Sequence, residues 1–138
     1  MRIAHFTLLV EDIDETVKFY TEKLGFVKRV DQTFWIKARW VSISPKDQPD
    51  VALTLVLADT EEKVCAVGKQ TAGHVYMFLE TDTLIQDYNE MKAKGVNFIN
   101  YPEDHPWGKV VTFEDLYGNI INLVQRPKMP STGAPSQG

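Results

Sequence analysis

The chain runs through one pattern of apolar and polar positions and then repeats it. Residues 3–10, Ile-Ala-His-Phe-Thr-Leu-Leu-Val, form an apolar run that ends in acidic residues. Ile13, Val17, Tyr20 and Leu24 follow at spacings of four, three and four, the apolar stripe of an amphipathic helix. Asp12 or Asp14 stands where the first helical amides need an acceptor, and Gly25 stands where a left-handed residue ends a helix. Residues 73–79, Gly-His-Val-Tyr-Met-Phe-Leu, begin the pattern again, and Glu80-Thr81-Asp82 follow. Leu84, Tyr88 and Met91 then make the stripe, Asp82 or Thr83 the cap, and Gly95 the end. Helices are expected near 14–24 and 83–94.

Three strand-like segments follow each helix: 26–30, 35–43 and 51–57 in the first half, 96–99, 109–113 and 120–124 in the second. Pro-, Asp- and Gly-dense connections, Ser44 to Asp50 and Asp115 to Asn119, join the last two segments of each half as hairpin turns do. The two histidines, His5 and His74, are 69 residues apart and the two closing glycines 70. The expected fold is α+β: two βαβββ modules, residues 1–60 and 72–125, forming a curved mixed sheet around a concave cup, with the helices on its convex face. Together they make one domain over residues 1–126.

At 138 residues the chain has room for one ordinary domain. Fifteen Lys and Arg against nineteen Asp and Glu leave a net charge of −4, which supplies no basic face for a phosphate backbone, so no nucleic-acid partner is expected. No apolar run approaches the ~20 residues that span a bilayer, so no membrane association is expected. A single cysteine, Cys65, excludes an intrachain disulfide and any Cys-rich zinc site, and points to a reducing, cytoplasmic compartment. Residues 127–138, with three prolines and two glycines, read as a tail.

Three stretches carry a resemblance to a known family. His5-Phe6-Thr7-Leu8-Leu9-Val10-Glu11-Asp12, with Phe19-Tyr20 and Leu24-Gly25-Phe26, is similar to the opening signature of the vicinal-oxygen-chelate superfamily. That superfamily includes glyoxalase I, bleomycin- and fosfomycin-resistance proteins and extradiol dioxygenases. His74-Val75 resembles its second-half opening, and Phe113 to Leu123 its closing hairpin. In that hairpin Leu116 stands for the usual proline, Tyr117 for the usual acid and Asn122 for the usual glutamate.

In metal-using members of the superfamily, the first and last strands of each half supply one ligand apiece. Those positions fall here on His5, Thr54, His74 and Asn122, and Thr54 and Asn122 are 68 residues apart, close to the histidine spacing. The superfamily usually has glutamate where Thr54 and Asn122 stand. A divalent ion held by two imidazoles, a hydroxyl and an amide keeps its charge uncompensated in a low-dielectric cup. The carboxylate base of a glyoxalase-type isomerisation is missing as well. The favoured expectation is a neutral cup that binds a small molecule without a tightly held metal, with Thr54 and Asn122 hydrogen-bonded to the histidines. The alternative is a metal-dependent lyase, isomerase or dioxygenase with Zn, Ni, Mn or Fe on His5 and His74.

Strand alternation adds Thr7 to the His5 face and Tyr76 and Phe78 to the His74 face, and Trp107 in His105-Pro106-Trp107-Gly108 is a candidate wall. The expected ligand-binding set is therefore His5, Thr7, Thr54, His74, Tyr76, Trp107 and Asn122. Unpaired sheet edges and the resemblance imply a homodimer, with the site within one chain or across the interface.

Overall fold

A computed structural model describes residues 1–34 and 38–127. The tail beyond Pro127 and Trp35, in the 35–43 segment, lie outside the described residues. The first module runs β1 (His5–Val10), α1 (Ile13–Leu24), β2 (Phe26–Phe34), β3 (Ala38–Pro45) and β4 (Ala52–Leu57). A short helix, α2 (Glu61–Ala66), leads to the second: β5 (Val75–Glu80), α3 (Leu84–Ala93), β6 (Asn97–Phe98), β7 (Glu103–His105), β8 (Gly108–Glu114) and β9 (Ile120–Gln125).

Each module builds its own mixed sheet. The first has strand order β1-β4-β3-β2, with β1 and β4 parallel. The second has order β5-β9-β8-β6, with β5 and β9 parallel and β7 paired with β8. In the first sheet the strand positions that alternate with Thr7 and Thr54 turn to the core at Leu8, Val10, Leu53 and Leu55, with Val41 and Ile43 of β3 beside them, while Phe6 and Leu57 at the strand ends are exposed. The buried residues form one cluster with Val111, Phe113, Ile121 and Leu123 of the second sheet and with Tyr20, Leu84, Tyr88 and Met91 of the helices. Each such aliphatic or aromatic side chain contributes roughly 1.5–3 kcal/mol on burial.

The helices end as their sequences direct, with one difference. Asp12 caps α1 by accepting from the Glu15 amide at 2.9 Å, and Gly25 closes it at φ 77°. Thr83 occupies the cap position of α3 without a side-chain cap bond. Instead, the Leu84 amide donates to Gln125 Oε1 of β9 at 2.8 Å, and the Thr83 amide donates to Thr81 Oγ1 at 3.1 Å. The first turn of α3 is thus tied to the strand beneath it. Helix α2 is additional to the expected elements; Thr60 caps it by accepting from the Lys63 amide, and Glu61 and Glu62 suit its first turn.

The turn between β8 and β9 fastens the modules together. Asp115 is buried within it, and its carboxylate accepts from the Tyr117 and Asn119 amides at 2.9 Å each, from Asn119 Nδ2 at 2.8 Å and from the Tyr20 hydroxyl of α1 at 2.7 Å. The Tyr117 hydroxyl reaches the start of α1, where it accepts from the Asp12 amide at 3.0 Å and lies 3.1 Å from Thr16 Oγ1. On the free edge of β1, the Gln70 side chain accepts from the Leu9 amide at 3.0 Å and donates to the Thr7 carbonyl at 2.8 Å, filling part of the place a neighbouring strand would take.

Candidate functional site

The polar face of the first sheet is built by register. Thr7 of β1 lies beside Thr54 of β4, and Thr54 beside Ser42 of β3, so three hydroxyl residues form a row across three strands. Thr54 and Ser42 are buried. Thr54 Oγ1 is the one buried side-chain polar atom without a hydrogen-bond partner among the described residues. One step along β1, exposed His5 pairs with Ala52 and meets the Trp40 ring edge-on at 5.9 Å. This half of the cup therefore offers two aromatic rings beside a buried, unused hydroxyl.

On the second sheet Asn122 of β9 lies between Phe78 of β5 and Thr112 of β8. Its Oδ1 accepts from Thr112 Oγ1 at 2.7 Å, and the Thr112 amide donates to Asn100 Oδ1 at 2.8 Å. The Asn122 oxygen is thus taken by threonine and not by a histidine, and Thr54 likewise has no histidine partner. His74 precedes β5 by one residue and is exposed. Trp107, in the turn between β7 and β8, stacks on His105 with ring centroids 4.9 Å apart and planes 7° from parallel. It lines a hollow of about 340 Å³ with Phe78, Glu80, Val124 and Arg126.

Tyr76 departs from the strand alternation that would put it on the His74 face. Between the pairs Val75–Ile120 and Met77–Ile121, β5 holds one extra residue, and Tyr76 turns with Met77 toward the core. Its hydroxyl lies 2.5 Å from that of Tyr20, which in turn donates to Asp115. Burial is the main cause that pushes both phenols above their ordinary range, so both keep their protons. Tyr76 also lines a cavity between the modules, and of the expected ligand-binding residues only Thr7 joins it there. Trp107 sits at the separate hollow, and His5 and His74 belong to different modules. Among the described residues no group of three or more His, Cys, Asp or Glu side chains gathers as a metal site.

A family model of the Glyoxalase/Bleomycin resistance protein/Dioxygenase superfamily matches residues 2–123. The chain belongs to this superfamily. An uncharacterized protein of Shewanella frigidimarina (strain NCIMB 400) is 39% identical over 125 residues, covering 89% of this chain and 92% of its own. Among solved structures, UcmS2 is 32% identical with a TM-score of 0.79, covering 90% of this chain and 97% of that one. TnmS3, an antibiotic binding protein from Streptomyces sp. CB03234, is 28% identical with a TM-score of 0.76, covering 92% of this chain and 97% of that one.

Within this superfamily fold, several residues of structural weight have only a weak local signal. Gln70, which covers the β1 edge, lies in a polar linker. Tyr20 reads as one more apolar position of a helical stripe, and its link to Asp115 crosses 95 residues. Ser42 completes the hydroxyl row only through the register of β3 on β4.

Proposed function

We propose that this chain binds a small organic molecule in the cup of its sheets, without a tightly held metal, as a cytoplasmic homodimer. The observation that carries the reading is Thr54 Oγ1, buried and unpartnered on a face that also presents His5 and Trp40. A buried hydroxyl left unpaired costs about 1–3 kcal/mol, a cost relieved when a ligand supplies the missing hydrogen bond. The similarity to TnmS3, an antibiotic binding protein, supports the same class of ligand.

The donor set supports the absence of a tightly held ion. His5, His74, Thr54 and Asn122 bring no anionic ligand, and the Asn122 oxygen already accepts from Thr112. These residues do not fit a divalent cation, whose charge would stay uncompensated. The dimer is supported by aromatic surface left on both polar faces: Trp40 is 41% exposed, Trp107 55% and Phe78 67%. A second copy that brings a first-module face against a second-module face would complete a cup and cover these rings. No helix among the described residues is long and apolar enough to cross a membrane.

Thr54→Val tests the reading in both directions. The substitution removes an unpaired polar atom at constant shape, so the free protein gains on the order of 1 kcal/mol in urea unfolding. Sedimentation velocity with a panel of aromatic antibiotics, bleomycin among them, gives a wild-type dimer carrying at least one of them. Thr54→Val remains a dimer and takes up that compound about tenfold less well. A monomer at micromolar concentration, or undiminished uptake by Thr54→Val, contradicts the proposal.

A further inference from the structure

Between the modules lies a cavity of about 470 Å³, walled by Phe26, Ile43 and Leu53 of the first and Tyr76, Met77 and Leu79 of the second. It opens to solvent on one side, and its volume falls in the range of small-molecule sites, ~300–1,000 Å³. We infer that this cavity is a second ligand site, selective for an uncharged, flat aromatic molecule that carries one hydrogen-bond donor. The cavity borders the cup at Thr7 and Phe78, but its wall of Phe26, Ile43, Leu53, Tyr76, Met77 and Leu79 is distinct from it.

The polar groups on the wall define the ligand. Gln48 and Thr7 are exposed lining residues whose side chains meet water. Of the others, Ser44 Oγ accepts from Arg29 Nε at 2.7 Å, Thr71 Oγ1 donates to the His74 carbonyl at 2.7 Å, and both ends of the Gln70 amide are taken by β1. That leaves Tyr76 as the half-buried polar group on the wall. At Tyr76 the direction of the hydrogen bonds is fixed. The Asp115 carboxylate accepts from Tyr20, so the Tyr20 proton is used there and the Tyr76 proton points to the Tyr20 oxygen. The Tyr76 oxygen keeps a lone pair for a donor on the ligand. Among the described residues no Lys, Arg or His lines the cavity, so the described wall does not compensate an anion, and desolvation disfavours an acidic ligand. Phe6, a further lining ring at 53% exposure, stands in the first module, and an aromatic guest between the modules removes part of it from water.

N-Phenyl-1-naphthylamine, neutral, aromatic and bearing one N–H, is a suitable fluorescent probe, and 1-benzylnaphthalene, with a methylene in place of the N–H, is its competitor. One probe is expected to bind per chain. Tyr76→Phe weakens the amine about fivefold to tenfold and leaves the methylene compound unchanged, as the loss of a single hydrogen bond requires. Val51→Trp, from a lining position before β4, weakens both by tenfold or more; Thr71→Trp, from an exposed lining position, serves if Val51→Trp does not fold. Thr54→Val and Trp107→Ala leave both affinities unchanged while altering the cup, so failure of one site is distinguishable from failure of the other. No saturable binding, binding untouched by a folded tryptophan variant, or binding lost in Trp107→Ala overturns the inference.

Discussion

Asp115→Ala loses about 4 kcal/mol or more of unfolding free energy in urea, enough to leave a domain of this size marginal. The carboxylate is buried and accepts four hydrogen bonds. Alanine leaves the Tyr20 hydroxyl and the backbone and side-chain N–H groups of Asn119 without their acceptor, and both residues are buried. Each stranded donor costs about 1–3 kcal/mol. Because Tyr20 belongs to α1 and Asn119 to the second module, the loss falls on the joint between modules as well as on the turn. Asp115→Asn retains one acceptor but turns an amide donor toward Tyr20 or Asn119, so an intermediate loss of about 2 kcal/mol is expected. A loss below about 1 kcal/mol for the alanine variant would show that the joint does not depend on this carboxylate.

Gly68→Ala is the second large loss, about 3 kcal/mol or more by the same measurement. Gly68 sits at φ +75°, a conformation that costs an L-residue ~1–2 kcal/mol, and a Cβ there would lie 2.1 Å from the Tyr117 carbonyl oxygen. That oxygen is backbone of the β8–β9 turn, so relief requires the linker and the turn to separate. Gly25 is the control: its φ is +77°, but a Cβ would meet nothing within 4 Å. Gly25→Ala therefore carries only the conformational cost, about 1–2 kcal/mol. Equal losses for the two variants would contradict the close approach of linker and turn.

The contrast between these glycines marks what was legible in the sequence. Gly25 and Gly95 are predictable because a helical stripe ends at each; α1 ends at Leu24 as expected, and α3 ends at Ala93, one residue before the expected end. The buried face of the first sheet is readable for a similarly local reason, since alternation sorts Leu8, Val10, Leu53 and Leu55 from Thr7 and Thr54. The extra residue in β5 is of another kind. Val75-Tyr76-Met77 reads as ordinary strand, and Tyr76 faces inward because Tyr20, 56 residues away, holds its hydroxyl. At α3 the cap position falls on Thr83 as expected, but the side-chain acceptor there is Gln125, from a strand 41 residues later. Helix α2 did carry a signal, Thr60 followed by two acids, masked by its brevity and charge. Of the candidate site, Thr54 and Asn122 are pointed out by the resemblance, with the repeat spacing in support, but the partner of Asn122 is not, because Thr112 and, behind it, Asn100 enter through pairing and loop geometry.

The central claim, a neutral cup that binds its ligand without a metal, is tested most directly by one calorimetric comparison. The antibiotic that binds best is titrated into wild-type protein dialysed against EDTA, and into protein supplemented with Zn²⁺, Ni²⁺ or Mn²⁺. The account predicts the same affinity in every case, because no carboxylate among His5, Thr54, His74 and Asn122 secures an ion for the ligand to meet. Binding that disappears in EDTA and returns with about one equivalent of metal per cup would contradict it.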